Sequence, residues 1–188
     1  INVFDISPLS SLTQLHTLKL ASTEVLDISS LSTLTQLHKL DLADNTIYDI
    51  FVLSTLSQLN TLNLYYTKVS DISPLSSLTQ LHTLDLCCTN VLDISPLSSL
   101  TQLHTLKLAS TKLSSISSLS SLTQLHTLDL AYNTIYDISV LSTLSQLHKL
   151  IITGIRIRTL RLNDVHNNYS LYYCIKFWLH KYINLMLN

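Results

Sequence analysis

The chain has 188 residues, a formal net charge of −1, and only 12% charged against 46% hydrophobic residues. That length carries one domain with a continuous core, and that balance excludes the basic field needed to hold nucleic acid or an anionic membrane. With one glycine and three prolines, its turns must be built mainly from Ser, Thr, Asn and Asp. Three cysteines, Cys87, Cys88 and Cys174, are too few for a disulfide framework and favour a reducing, cytoplasmic compartment. Secretion or display at the cell surface stays open if residues before Ile1 are missing.

One pattern fills most of the chain. Residues 69–90 read VSDISPLSSLTQLHTLDLCCTN, and related 22-residue copies begin at Val3, Val25, Ile47, Val91, Leu113 and Ile135. A fixed period of this size means a solenoid, whose units bury their apolar faces only against their neighbours. Within one copy, Leu84 and Leu86 alternate with Thr83 and Asp85, the period-2 signature of a half-buried strand. Leu75, Leu78 and Leu81 recur every three residues, which predicts a 3-10-like segment on the opposite side. Ser73 as N-cap and Pro74 at the first helical position would open that segment. Val91 and Ile94 complete the apolar set on the return.

The pattern LxxLxxLxLxx(N/T)xIxDIxxL resembles the leucine-rich repeat, in the 22-residue form of bacterial internalins and of the regulatory subunit of protein phosphatase 1. The stretch of residues 93–103, DISPLSSLTQL, is most similar to the internalin type. Leucine-rich regulators of trypanosome adenylate cyclases share the general pattern. The resemblance spans residues 3 to about 154. It implies an α/β, right-handed solenoid with parallel strands on a concave face and 3-10 segments on a convex one. It also implies a non-enzymatic scaffold without cofactor that binds another protein on the concave face. A regulatory or targeting subunit of a phosphatase or cyclase, or a non-functional fragment of a larger repeat protein, are the alternatives. In that family the turn after the strand carries an asparagine ladder. Here Asn45 and Asn133 keep it, while Thr23, Thr67, Thr89 and Thr111 replace it, which predicts a looser ladder because threonine has one hydroxyl.

A second period lies over the first. Residues 3–24 and 91–112 differ only at Phe4/Leu92 and Glu24/Lys112, and residues 45–50 return as 133–138. Both offsets are 88 residues, so a block of four repeats was duplicated as a unit. An eighth copy should start at Ile157, yet the text changes there, with Ile155 at the ladder position. The domain organisation is therefore residues 1–156 as seven repeats, then 157–188 as a degenerate last repeat plus a C-terminal capping helix. Lys176, His180, Asn184 and Asn188 give that helix a polar stripe against Tyr173, Phe177 and Trp178. A frameshifted end and a membrane-surface or partner helix are the other readings of the same segment. Lys176, His180 and Lys181 break its apolar run, so no membrane span is expected. The array opens without an N-terminal cap, as a fragment would.

Candidate chemistry is sparse. Six histidines, His16, His38, His82, His104, His126 and His148, recur at one phase, with Asn60 in the gap, and should stack about 4.8 Å apart. A straight row does not converge on a metal, so no metal site is expected. Ser77, His82 and Asp85 repeat along the ribbon rather than meeting in a pocket, so they do not read as a catalytic triad. Vicinal Cys87 and Cys88 are two small residues at variable positions before they are a redox switch. Asn168-Tyr169-Ser170 fits a glycosylation acceptor, a weak signal on its own. The variable strand positions are more distinctive. Tyr65 and Tyr66, with Asp41 and Asp44 one coil before, Asp85 one coil after and Tyr132 further on, are the expected contact residues. Asp85, Lys107 and Asp129 lie on successive strands where they can pair with one another. Nothing in the sequence fixes the oligomeric state.

Overall fold

The structure, a computed structural model, describes residues 5–157. Every coil repeats the same four steps, and each follows from the spacing of its leucines. Three-residue strands, β1 (Thr17–Lys19), β2 (Lys39–Asp41), β3 (Thr61–Asn63), β4 (Thr83–Asp85), β5 (Thr105–Lys107) and β6 (Thr127–Asp129), lie side by side in chain order. A short β7 (Thr134–Ile135) follows β6, and β8 (Lys149–Ile151) then completes a seven-stranded parallel sheet. The register is an offset of one repeat throughout: Leu40 pairs with Leu62, and Leu84 with Leu106. Past the seventh coil, β9 (Arg156–Ile157) pairs in parallel with β7. The capping helix expected beyond it lies outside the described residues.

Opposite the sheet, the described residues form seven 3-10 segments, Ser7–Ser11, Ser29–Thr33, Phe51–Thr55, Ser73–Ser77, Ser95–Ser99, Ser117–Ser121 and Ser139–Thr143. Their three-residue leucine spacing has a direct backbone cause. The Leu75 amide donates to Ile72, Leu78 to Leu75 and Leu81 to Leu78, at 2.9–3.0 Å, so each apolar anchor bonds to the one before it. The N-terminus of the segment differs from expectation. Ser73 is its first residue, not its cap, and the Ser73 amide donates to Asp71 Oδ1 at 2.8 Å. A carboxylate two residues upstream is a stronger acceptor than the serine hydroxyl. These bonds hold the Asp71 carboxyl below its ordinary range, as Ser7 does for Asp5.

Inside the coil, Val69, Ile72, Leu75, Leu78, Leu81, Leu84 and Leu86 are all buried, and the same seven positions form the core of each interior repeat. Each such side chain stabilises the array by roughly 1.5–3 kcal/mol over its exposed state, but only while the neighbouring coils cover it. Serine and threonine hydroxyls stitch the 3-10 side. Thr33 donates to the Ser10 carbonyl, Ser77 to Ser54, Ser99 to Ser76 and Ser121 to Ser98, all one coil away.

The turn leaving each strand is left-handed. Ser22, Asp44, Tyr66, Cys88, Ser110 and Tyr132 have φ of 54–59°, and Gly154, at the same phase, has φ 66°. Each of the six donates its amide to the next coil, for example Tyr66 to Cys87 and Tyr132 to Thr153, at 2.8–2.9 Å. The ladder residue follows. Asn133 Nδ2 donates to the Leu108, Leu130 and Ala131 carbonyls, while its Oδ1 accepts from the Leu113 amide and the Thr111 hydroxyl. Asn45 repeats this one duplication earlier. Thr67 and Thr89 each donate one hydroxyl bond, to Leu64 and Leu86, so the ladder is sparser at these coils, as their chemistry requires. Removing an asparagine therefore strands several buried groups, and removing a threonine strands one. Asn45→Ala is expected to cost roughly 2–3 kcal/mol in urea unfolding, against about 1 kcal/mol for Thr67→Ala.

Candidate functional site

The outward face of the sheet collects the variable side chains, because strand residues on either side of the buried leucine point away from the core. Several expected contact residues meet there. The Asp44 amide donates to the Tyr65 carbonyl, which sets Asp44 beside the tyrosine pair. The Tyr65 and Tyr66 rings stand 6.0 Å apart, and Lys68 Nζ lies 5.4 Å from the Tyr66 ring centroid, within cation–π reach. Both tyrosines are exposed. Asp41 and Asp85 flank them through Asn63, which pairs with both in the sheet register. Tyr132 is not brought to this cluster. It occupies the same phase as Tyr66 with Cys88 and Ser110 between, about 14 Å along the sheet at the usual strand spacing.

The carboxylates are partly committed to their own turns. Asp41 Oδ1 accepts from the Ala43 amide at 3.2 Å, and Asp85 Oδ1 from Cys87 at 3.0 Å. Asp44 Oδ2 accepts from the Ser22 hydroxyl at 2.8 Å. Asp85 also forms an ion pair with Lys107 at 3.0 Å, the cross-strand partner expected of it. That carboxylate raises the Lys107 ammonium above its ordinary pKa, first through the hydrogen bond and then through its charge, with a further contribution from Asp129.

The histidines do stack. His82, His104 and His126 stand 5.0 Å apart, centroid to centroid, with nearly parallel rings, and His16 lies 5.2 Å from His38. His38 and His82 donate from Nδ1 to the Gln36 and Gln80 carbonyls, which holds each ring to its own coil. Among the described residues no three His, Cys, Asp or Glu side chains converge to hold a metal ion. Ser77, His82 and Asp85 go to different partners: Ser77 to the Ser54 and Pro74 carbonyls, His82 to Gln80, Asp85 to Lys107 and its own turn. Cys87 is buried and accepts from the Ala109 amide at 3.3 Å. Burial first, and then the Asp85 charge, push its thiol up to about 12.

Sequence reasoning passed over one group. Leu26, Tyr48 and Phe51 are exposed on the flank between the left-handed turn and the 3-10 side. The signal was present: Phe51 stands where the other six repeats place serine, at Ser7, Ser29, Ser73, Ser95, Ser117 and Ser139.

A family model for leucine-rich repeats (two copies) matches residues 35–77, 57–99 and 101–143. Solved structures of the same shape include an internalin of Listeria monocytogenes, at 34% identity and a TM-score of 0.81, covering 85% of this chain and 48% of that one. Internalin C2 of the same organism gives 29% identity and 0.79, covering 86% and 72%. The leucine-rich-repeat ectodomain of a membrane receptor kinase from Arabidopsis thaliana, in complex with Casparian strip integrity factor 2, gives 23% and 0.72, covering 82% and 20%. This chain thus spans about half the length of the first internalin. No curated protein sequence matches it. Among the described residues no helix is long and apolar enough to cross a membrane.

A thiol pushed up to about 12 stays protonated at pH 8, and only the thiolate attacks an alkylating agent. Alkylation followed by peptide mapping is expected to leave Cys87 unmodified in the folded chain and to modify it only after denaturation.

Proposed function

We propose that this chain, which belongs to the leucine-rich-repeat family, is a non-enzymatic scaffold that binds another protein across the exposed face of its parallel sheet. Tyr65, Tyr66 and Tyr132 are the anchors, and Asp41, Asp44 and Asp85 set the orientation of the partner. The observation that carries this reading is the backbone of Tyr66 and Tyr132. Both are left-handed, with φ of 54° and 56°, a conformation that costs a side-chain-bearing residue roughly 1–2 kcal/mol. Glycine serves at this phase in the seventh coil, so the turn itself does not call for an aromatic.

Both rings are also largely in water, 52% and 65% exposed, although one edge of the Tyr132 ring lies over Gly154 in the next coil. A residue that strains the backbone and leaves the core untouched fits a role at a surface contact, where strained positions tend to gather. Tyrosine buries much area with few rotors when a partner covers it, the property that concentrates binding energy at hot spots. The acidic groups beside it favour a partner whose facing surface is basic. The fold supports the class of ligand: leucine-rich-repeat solenoids typically act as non-enzymatic protein-binding scaffolds, and the plant ectodomain of this shape holds Casparian strip integrity factor 2.

The test separates folding from binding. Tyr66→Gly relieves the left-handed strain and is expected to raise unfolding stability by about 0.5–1 kcal/mol. Combined with Tyr65→Ala, it is expected to lower recovery of the partner at least 10-fold. The measurement is quantitative affinity purification from the cells that make the protein, with wild type and variant as parallel baits. Equal recovery of all specific partners by a folded variant would refute the assignment.

A further inference from the structure

We propose a second docking surface, separate from the sheet face, on the flank of the second and third coils. It takes a peptide segment of another protein that presents a bulky apolar side chain next to lysine or arginine. Leu26, Tyr48, Phe51 and Val52 line a groove of about 460 Å³ between two successive returns, with Asp27 and Asp49 in the same wall. Leu26 is 55% exposed, Tyr48 65% and Phe51 73%. The core beneath is already complete without them, since Val25, Ile28, Ile47 and Ile50 are fully buried in the same turns. Large apolar side chains left in water side by side, where the core does not need them, gain from being covered by a partner.

The duplication supplies an internal control. Eighty-eight residues on, the same backbone carries Ser114 for Leu26, Ser115 for Asp27, Ser139 for Phe51 and Lys112 for Glu24. Tyr136, Asp137 and Val140 are kept. The later copy builds the same strands and 3-10 segments, so the fold does not require the groove's apolar or acidic members. Of the groove's lining, two apolar residues, Leu26 and Phe51, and one acidic residue, Asp27, are serine in the duplicate.

Charge selects the occupant. Glu24, Asp27, Asp44 and Asp49 lie on the turns of these coils against one nearby cation, Lys68, whose amide donates to the Ile47 carbonyl. The Asp27 and Asp49 carboxylates accept from the Ser29 and Phe51 amides at 2.8 and 2.7 Å, which fixes them beside the groove without neutralising them. An apolar slot with two carboxylates and no cation in its lining complements an apolar anchor with cationic neighbours and repels acidic segments. A groove of this size holds one large side chain and its backbone.

A random dodecapeptide display library panned against the full chain tests this, with enriched peptides then measured by fluorescence anisotropy. Enriched sequences are expected to carry Phe, Trp, Leu or Ile within three positions of Lys or Arg. Their affinity should fall at least 10-fold with Leu26→Ser plus Phe51→Ser, and several-fold with Asp27→Ser or in 0.5 M salt. The Tyr65→Ala, Tyr66→Gly variant should leave it within twofold. Because serine stands at the matching positions in the duplicate, the flank variants are expected to keep the wild-type circular dichroism. No enrichment, enrichment of peptides lacking basic residues, affinity unchanged in the flank double variant, or a dimer of the chain that this variant abolishes would each overturn the proposal.

Discussion

The parallel hydrogen-bond ladder between consecutive coils is the constraint on which everything else rests. It begins just before β4, where the His82 amide donates to the Asn60 carbonyl. It continues past the strand through Leu86 to Lys107 and Cys88 to Ala109. To keep donating to the next coil while the chain turns away, the residue at that last position adopts left-handed dihedrals, whatever its side chain. Ser, Asp, Tyr and Cys all do so here, at a cost that the stacking of seven apolar positions per coil offsets. Because each coil bonds only to its neighbours, the array tolerates change at any position that neither stacks nor bonds. The candidate contacts have side chains outside the stacked core, although Asp41, Asp44 and Asp85 also bond within the array.

The apolar skeleton was fully legible in the residues. Leu84 and Leu86 at period two, and Leu75, Leu78 and Leu81 at period three, lie where their spacing put them. The thinner ladder at Thr67 and Thr89 followed from counting donors. The cap was misread, because serine before proline is a local signal and the Asp71 carboxylate two residues back outcompetes it. The left-handed row could not be read at all: a period-22 column of Ser, Asp, Tyr, Cys, Ser and Tyr has no propensity in common, and Gly154 alone hints at it. The serine stitches were hidden in what looked like low-complexity text, since Ser77 and Ser99 show their role only when the preceding coil is in place.

The two candidate surfaces stand on different grounds. The sheet-face tyrosines are conspicuous because their backbone is unfavourable for them, whereas Phe51 and Leu26 are conspicuous because a near-copy of the same coil manages without them. In both places the surface departs from what stacking requires. The histidine row is the opposite case. Its rings stand 5.0–5.3 Å apart wherever histidines occupy successive coils, and the row follows from the fold rather than adding to it.

Amide-resolved native-state hydrogen exchange tests the central claim, that the left-handed residues belong to the inter-coil ladder and not to loops. The amides of Asp44, Tyr66, Cys88 and Ser110 should be protected as strongly as those of Leu62, Leu84 and Leu106 in the adjoining strands. Loop-like exchange at these four positions, beside protected strands, would mean that the strained turns are not held by the ladder.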